Sequence, residues 1–156
     1  YEHKLEKIQA DAQRLGLPIV QPTLQDAAQP RTEWVGMGDS VLCDVPCSGM
    51  GIIRKKPEIR YKDADEIQNL PEIQKNILEN CANYVKPGGT LVYSTCTILE
   101  RENQAVVQEF LQQHPEFEAV PIEHPVFGTS ENGMITLLPS IHDTDGFFIA
   151  KLRRLT

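Results

Sequence analysis

The chain has 156 residues, 40% hydrophobic and 24% charged, the size and balance of one globular domain rather than a disordered segment. Its longest apolar runs are strand-sized, well short of the roughly 20 residues that a membrane helix needs. Fifteen basic against 22 acidic residues give a formal net charge of -7, so a domain-wide basic footprint for nucleic acid is excluded and any polyanion must meet a local patch.

Leu5, Ile8, Ala12 and Leu15 recur at helical spacing and predict a first helix from about Glu2 to Leu15, stopped by Gly16. Leu17 to Leu24 predicts a short extended stretch, and residues 25–39, with Pro30, Gly36 and Gly38, a loop. Ser40 to Val45 is a compact apolar run ended by Pro46, which predicts a buried strand. A second helix is expected over residues 71–85, with Pro71 at its start and Ile73, Ile77, Leu78, Cys81 and Val85 on one face. Pro87-Gly88-Gly89 predicts a turn, Thr90 to Cys96 a second strand, and Glu100 to Gln113 a third helix with Val106, Val107, Phe110 and Leu111 inward. The runs Met134–Leu138 and Gly146–Leu152 predict an antiparallel pair. Strands alternating with helices up to about residue 115 predict an α/β fold with a mainly parallel sheet.

In open α/β sheets ligands bind beyond the carboxyl ends of the strands. Two segments bring unusual chemistry there: Cys43-Asp44-Val45-Pro46-Cys47-Ser48-Gly49 after the first buried strand and Ser94-Thr95-Cys96-Thr97 at the end of the second. If these strands are neighbours, Asp44, Cys47 and Cys96 converge on one pocket, where backbone N–H groups and helix N-termini are expected to lower a thiol pKa. Four cysteines (Cys43, Cys47, Cys81, Cys96) are too few and scattered for a disulfide scaffold. Tyr1-Glu2-His3-Lys4-Leu5 has no signal-peptide pattern, so reduced thiols and a cytoplasmic location are expected. Buried packing thiols and a zinc site are the competing readings, although the cysteines lack a paired C-x-x-C spacing.

Asp44-Val45-Pro46-Cys47-Ser48-Gly49-Met50-Gly51, Arg54-Lys55-Lys56-Pro57-Glu58-Ile59, Lys86-Pro87-Gly88-Gly89 through Ser94-Thr95-Cys96-Thr97, Glu100-Arg101-Glu102-Asn103 and Asp145-Gly146-Phe147-Phe148 together resemble the Sun/RsmB-type RNA (cytosine-5) methyltransferases, with the bacterial 16S rRNA enzyme as the nearest look. The resemblance implies a Rossmann-like class I fold dependent on S-adenosylmethionine and an RNA substrate, 16S rRNA by preference. It implies Cys96 as the nucleophile that adds to carbon 6 of cytosine, Cys47 as the thiol that assists product release, and Asp44 as a holder of the base edge close to the cofactor. Asp26 falls where the family places a carboxylate against the cofactor's adenine; a plain turn residue is the alternative, as a strand-end cap is for Asp44. The cluster Arg54, Lys55, Lys56, Arg60 and Lys62 holds a third of all Lys and Arg within nine residues. It is either a solvated face or a track for RNA phosphates, and Tyr61 within it offers a stacking surface.

The sequence departs from the family at the cofactor. The family's glycine-rich loop follows a strand ahead of the first helix, and no such loop occurs here; Gly36-Met37-Gly38 comes too late in order. Residues 1–156 are therefore expected to form the C-terminal part of one catalytic domain, inactive alone, with the N-terminal strands missing. The edge of Val41–Val45 is then expected either to recruit a rearranged strand from Ile19–Leu24 or to pair with another chain. The remaining alternatives are a non-catalytic RNA-binding module or degenerate paralogue, and a DNA cytosine methyltransferase, which leaves Ser94-Thr95-Cys96 unexplained.

Overall fold

The computed structural model describes residues 2–156. Helix α1 (Glu2–Arg14) forms where the periodicity predicts it. Its apolar side is only lightly used: Ala12 is buried, while Ile8 and Leu15 are exposed. Residues 17–31 then run without strand or helix. The expected extended strand near Ile19–Leu24 is absent, and the rearranged pairing with it. Pro18 and Pro22 remove two backbone donors from that stretch, and the Val20 N–H turns back onto the Leu17 carbonyl.

Strand β1 (Gly38–Asp44) pairs in parallel with β2 (Val85–Thr95). Between them run a short helix α2 (Ala64–Gln68) and the longer α3 (Leu70–Tyr84), which gives the βαβ unit that the alternation predicted. The Pro87-Gly88-Gly89 turn is folded into β2 as a bulge. Gly38 faces Val85 and Ser40 faces Thr90, so β2 carries four residues where β1 carries one, with Gly88 at φ +79°.

Helix α4 (Gln104–Gln113) is shorter than expected, because Glu100–Glu102 is a 3-10 turn and Asn103 breaks the run at φ -118°, ψ -100°. Strand β3 (Phe117–Ala119), the small hairpin β4 (Ile122–His124) with β5 (Gly128–Ser130), β6 (Met134–Leu137), α5 (Pro139–His142) and β7 (Phe147–Arg154) complete the chain. Strand β7 lies antiparallel to β2 on one side and to β3 and β6 on the other. The fold is thus α/β and the β6–β7 pair is antiparallel as expected, but the described sheet is mixed rather than mainly parallel: β1–β2 is its parallel pairing, and β7 runs antiparallel to β2, β3 and β6.

The core lies on one face of this sheet. Leu91, Tyr93, Phe148, Ala150 and Leu152 are fully buried with Leu78, Val106 and Val107 of α3 and α4. Alternation sends the next residues to the other face, where Leu42 is 69% exposed. Strand β1 is therefore covered on one side only, a correction to the buried strand expected from its composition. On α3 the inward residues are Gln74, Ile77, Leu78 and Ala82, while Ile73 is exposed. No described strand pairs with the outer edge of β1.

Candidate active site

Parallel pairing brings the ends of β1 and β2 level. Asp44 faces Ser94 in the register, and the Ser94 hydroxyl donates to Asp44 Oδ1 at 2.8 Å. Beyond β1 the chain turns through Pro46-Cys47-Ser48, with Gly49 at φ +75°. Beyond β2 it passes Cys96, whose carbonyl accepts the Gly51 N–H at 3.0 Å. The two turns meet with Cys47 Sγ 3.3 Å from Cys96 Sγ, both half-buried and both free thiols. Cys47 and Cys96 thus meet as predicted, while Asp44, at the end of β1, is bound to Ser94.

A buried polar network holds both turns. The Ser48 N–H donates to Glu102 Oε2 at 2.8 Å, Gln74 Nε2 donates to the same oxygen at 3.0 Å and to the Pro46 carbonyl at 2.9 Å, and Lys62 Nζ donates to the Ser48 carbonyl at 2.8 Å. On the Cys96 side, the Thr95 hydroxyl donates to Asn103 Oδ1 at 2.6 Å and Asn103 Nδ2 donates to the Thr97 carbonyl at 3.0 Å. The Tyr93 hydroxyl donates to the Glu102 carbonyl at 2.6 Å. Glu102, Asn103 and Gln74 are all fully buried. From sequence, Glu102 and Asn103 enter only within a family motif, with no role, and Gln74 is passed over. The signal for Gln74 was a polar residue on the apolar face of α3, one turn before Ile77 and Leu78.

The Cys47 thiol is not activated. Burial, then the hydrogen bond with Cys96, push the Cys47 pKa up to about 12, and the Gly49 and Cys96 backbone amides lower it by less. The expected lowering fails at Cys47 because loss of solvent outweighs those dipoles. A second thiol pair joins Cys43 of β1 to Cys81 of α3. Cys43, buried in the core, is pushed up by its hydrogen bond with Cys81 and by burial, while Cys81 is lowered by the same bond.

The basic segment follows the Cys47 turn directly. Arg54 and Lys55 lie 3.9 and 2.5 Å from the Asp145 carboxylate, and Lys62 caps the Ser48 carbonyl. Lys56, Arg60 and Tyr61 face solvent, Tyr61 at 89% exposure. Asp26 sits in a turn in which its Oδ1 accepts the Ala28 N–H at 3.0 Å, and no described hydrogen bond or ion pair links it to Asp44 or the cysteines. A cavity of about 570 Å³ runs along the outer side of β1 between Thr23, Trp34, Met37, Ser40 and Leu42, away from the thiol pair. Trp34 packs edge-on against Tyr84, with ring centres 5.7 Å apart. Among the described residues no group of three His, Cys, Asp or Glu side chains could hold a metal ion, and no helix is long and apolar enough to cross a membrane.

Known proteins resemble this chain in sequence and fold. The chain is 40% identical over 161 residues to the probable ribosomal RNA small subunit methyltransferase B of Bacillus subtilis, covering 99% of this chain and 36% of that protein. The crystal structure of PH0851 superposes with a TM-score of 0.91 at 35% identity, over 99% of this chain and 35% of that one. The structure of NSun6 from Pyrococcus horikoshii with SFG superposes with a TM-score of 0.80 at 27% identity, over all of this chain and 40% of that one. The chain spans about a third of the length of the curated relatives it matches. The family described as 16S rRNA methyltransferase RsmB/F matches residues 1–153, and this chain belongs to that family.

Proposed function

We propose that this chain carries the thiol chemistry of an enzyme that methylates carbon 5 of cytosine in RNA, with 16S rRNA as its substrate. The observation that carries the reading is the Cys47–Cys96 contact of 3.3 Å at the ends of adjacent parallel strands. Carbon 5 of cytosine is a weak nucleophile, and two thiols with different roles answer that difficulty. Cys96 Sγ adds to C6, forming an S–C6 bond and moving the C5–C6 π pair onto C5. Once C5 has been methylated, a base takes its proton and the S–C6 bond breaks, returning the electron pair to sulfur. Cys47, kept as a thiol by its raised pKa, has an S–H within reach of the departing Cys96 sulfur.

Asp44 suits two tasks. One carboxylate oxygen is fixed by Ser94 and the residue is exposed, so the other oxygen is open to the amino edge of a cytosine or to a cationic ligand. That donor chemistry fits S-adenosylmethionine, whose sulfonium and ammonium groups favour a carboxylate. S-adenosylmethionine supplies the electrophilic methyl group when bound. Asp26 is the second carboxylate assigned to the cofactor. Lys56 and Arg60, unpaired with any carboxylate in the described ion pairs, join Arg54, Lys55 and Lys62 as the track for RNA phosphates. The glycine-rich grip on the cofactor is assigned to another part of the enzyme, so the 156 residues alone are expected to be inactive.

The test uses the full-length enzyme and RNA containing 5-fluorocytosine, whose C5 cannot lose a proton. The parent enzyme and Cys47→Ala are expected to form a covalent RNA adduct, and Cys96→Ala none. An adduct retained in Cys96→Ala removes Cys96 as nucleophile. On ordinary RNA, Cys47→Ala is expected to accumulate an adduct that the parent releases.

A further inference from the structure

The two turns that present Cys47 and Cys96 bring their sulfurs into contact at 3.3 Å. Both turns are tied to one dipeptide. Glu102 reaches the Cys47 turn with its side chain: Oε2 accepts the N–H of Ser48 at 2.8 Å, and the same oxygen is held at 3.0 Å by Gln74, whose amide also holds Pro46. The residues before and after Cys47 are thereby gripped. Asn103 reaches the Cys96 turn the same way, accepting the Thr95 hydroxyl at 2.6 Å and donating to the Thr97 carbonyl at 3.0 Å. Again the grip falls on the residues flanking the cysteine.

The backbone is arranged to allow this. A continuous helix over residues 100–113 turns successive side chains about 100° apart, which aims adjacent residues away from each other. Here the helix is broken at Asn103, with ψ at -100°, and both neighbours are fully buried, pointing into the site. The Tyr93 hydroxyl pins the break through the Glu102 carbonyl. Glu102 Oε1 and Gln74 Oε1 are buried without a partner. A buried carboxylate in an incompletely satisfied network is costly, and that marks a role other than packing.

We propose that Glu102 and Asn103 are positioning residues, a two-residue brace that sets the distance between the Cys47 and Cys96 sulfurs by gripping one cysteine turn each. Neither touches the reacting atoms. The brace gives meaning to the thiol spacing, and so rests on the assignment of Cys47 and Cys96 as the two working thiols.

Spacing can be read without any RNA. Diamide oxidises two adjacent thiols to a disulfide while its N=N bond takes up both hydrogens as the hydrazine, and the rate reports how readily the sulfurs meet. The full-length protein is treated under native conditions and the Cys47–Cys96 peptide pair is quantified by mass spectrometry. Glu102→Asp keeps the charge but withdraws the carboxylate by one methylene, and Asn103→Ala removes the other grip. Each is expected to slow cross-linking at least about tenfold, in line with the sensitivity of reacting groups to displacements of about 1 Å. Glu102→Gln keeps the reach and is expected to stay within about threefold of the parent. In methylation assays kcat is expected to fall in the same order, with KM for RNA unchanged. Should Asn103→Ala not fold, Glu102→Asp carries the test. Parent-like cross-linking in Glu102→Asp overturns the proposal, as does Glu102→Gln being as slow as Glu102→Asp. Cross-linking that follows the brace in a protein that methylates no RNA overturns the functional reading and leaves the brace standing.

Discussion

The hydroxyls of Ser48 and Thr97, each one residue beyond a cysteine, share a hydrogen bond of 2.9 Å and are fully buried. They lie 49 positions apart in sequence, so this bond closes the two turns on each other beside the thiols. Thr97 Oγ1 also accepts the Leu99 N–H at 3.3 Å, which makes it the shared point of both contacts.

Ser48→Ala is expected to destabilise the protein by about 1–3 kcal/mol, because it leaves a buried threonine hydroxyl short of a partner. Ser48→Ala combined with Thr97→Val should cost less than the sum of the single changes, by about 1 kcal/mol. Urea unfolding of the four proteins measures this coupling, and strict additivity would contradict it.

Thiol reactivity separates the cysteines. With its pKa at about 12, Cys47 is a thiolate in only about one molecule in ten thousand at pH 8. Cys81, lowered by the Cys43 thiol, is expected to react with iodoacetamide ahead of both Cys43 and Cys47. Peptide mapping after brief labelling reads the order, and early labelling of Cys47 would refute it.

His114 gives the stability a pH dependence. Burial opposes its charge, but hydrogen bonds with Glu79 and Glu116, at 2.8 and 3.0 Å, outweigh that and raise its pKa above 6.5. The hydrogen bond with His114 lowers the Glu116 pKa from 4.5. A raised histidine stabilises fully below its unfolded value and loses that contribution as pH rises through the folded value. The lowered carboxylate stabilises above its unfolded value and loses that contribution as pH falls through the folded one. The Tm gap between the parent and His114→Gln should therefore be widest between about pH 4.5 and 6.5 and shrink above pH 7. A gap that grows from pH 6 to 8 would reverse the assignment.

Gly51 leaves no room for a side chain. A Cβ there collides with the Gly146 carbonyl and lies 2.8 Å from the Cys96 carbonyl, while the two glycines are joined by the Gly146 N–H donating to the Gly51 carbonyl at 2.8 Å. All the obstructing atoms are backbone, so Gly51→Ala is expected to cost about 2–3 kcal/mol and to slow Cys47–Cys96 cross-linking. An unaltered cross-linking rate would show that the Cys96 turn is not displaced.

Charge reversal tests the RNA track in the full-length enzyme. Lys56→Glu and Arg60→Glu are each expected to weaken RNA binding uniformly across sequences and to reduce the slope of log Kd against log salt by about 1. Arg54→Glu should do less, since Asp145 already lies beside Arg54. An unchanged salt slope in Lys56→Glu would remove that residue from the track.

What could be read from the sequence followed from periodicity. The α3 and α4 stripes, β1, β2 and the β6–β7 pair were visible because apolar residues recur with the period of the element that buries them. The convergence of Cys47 and Cys96 was visible because both follow strand ends in a βαβ unit. Other features depend on what lies across the fold. Leu42 reads as core in Ser40–Val45, but only α3 covers β1, so alternation leaves it in solvent. Leu17–Leu24 has strand composition, but Pro18 and Pro22 remove backbone donors and Val20 turns back onto Leu17, so it leaves the edge of β1 unpaired. Gln74 and Glu102 are polar residue types that usually face solvent, and they are inside because the Pro46–Ser48 turn offers them backbone partners. The break at Asn103 is invisible to a helical pattern, since its cause is the pull of Thr95 and Thr97.

Strand β7 lies between β2 and the β3/β6 edge, and Asp145 and Gly146 at its entrance touch the basic segment and the Gly51 turn. The order of synthesis therefore matters. Residues 38–97 can emerge and pair β1 with β2, but the middle of the sheet remains unfilled until Phe147–Arg154 inserts. The Gly51–Gly146 contact behind Cys96 forms only at that moment. A chain stopped by a nonsense codon before about residue 147 would keep both cysteines, Asp44 and the brace in its sequence, yet leave the Cys96 turn without its backstop. Nascent chains of increasing length should gain diamide cross-linking abruptly once β7 has cleared the ribosome, so that the last strand made decides when the thiols become a pair.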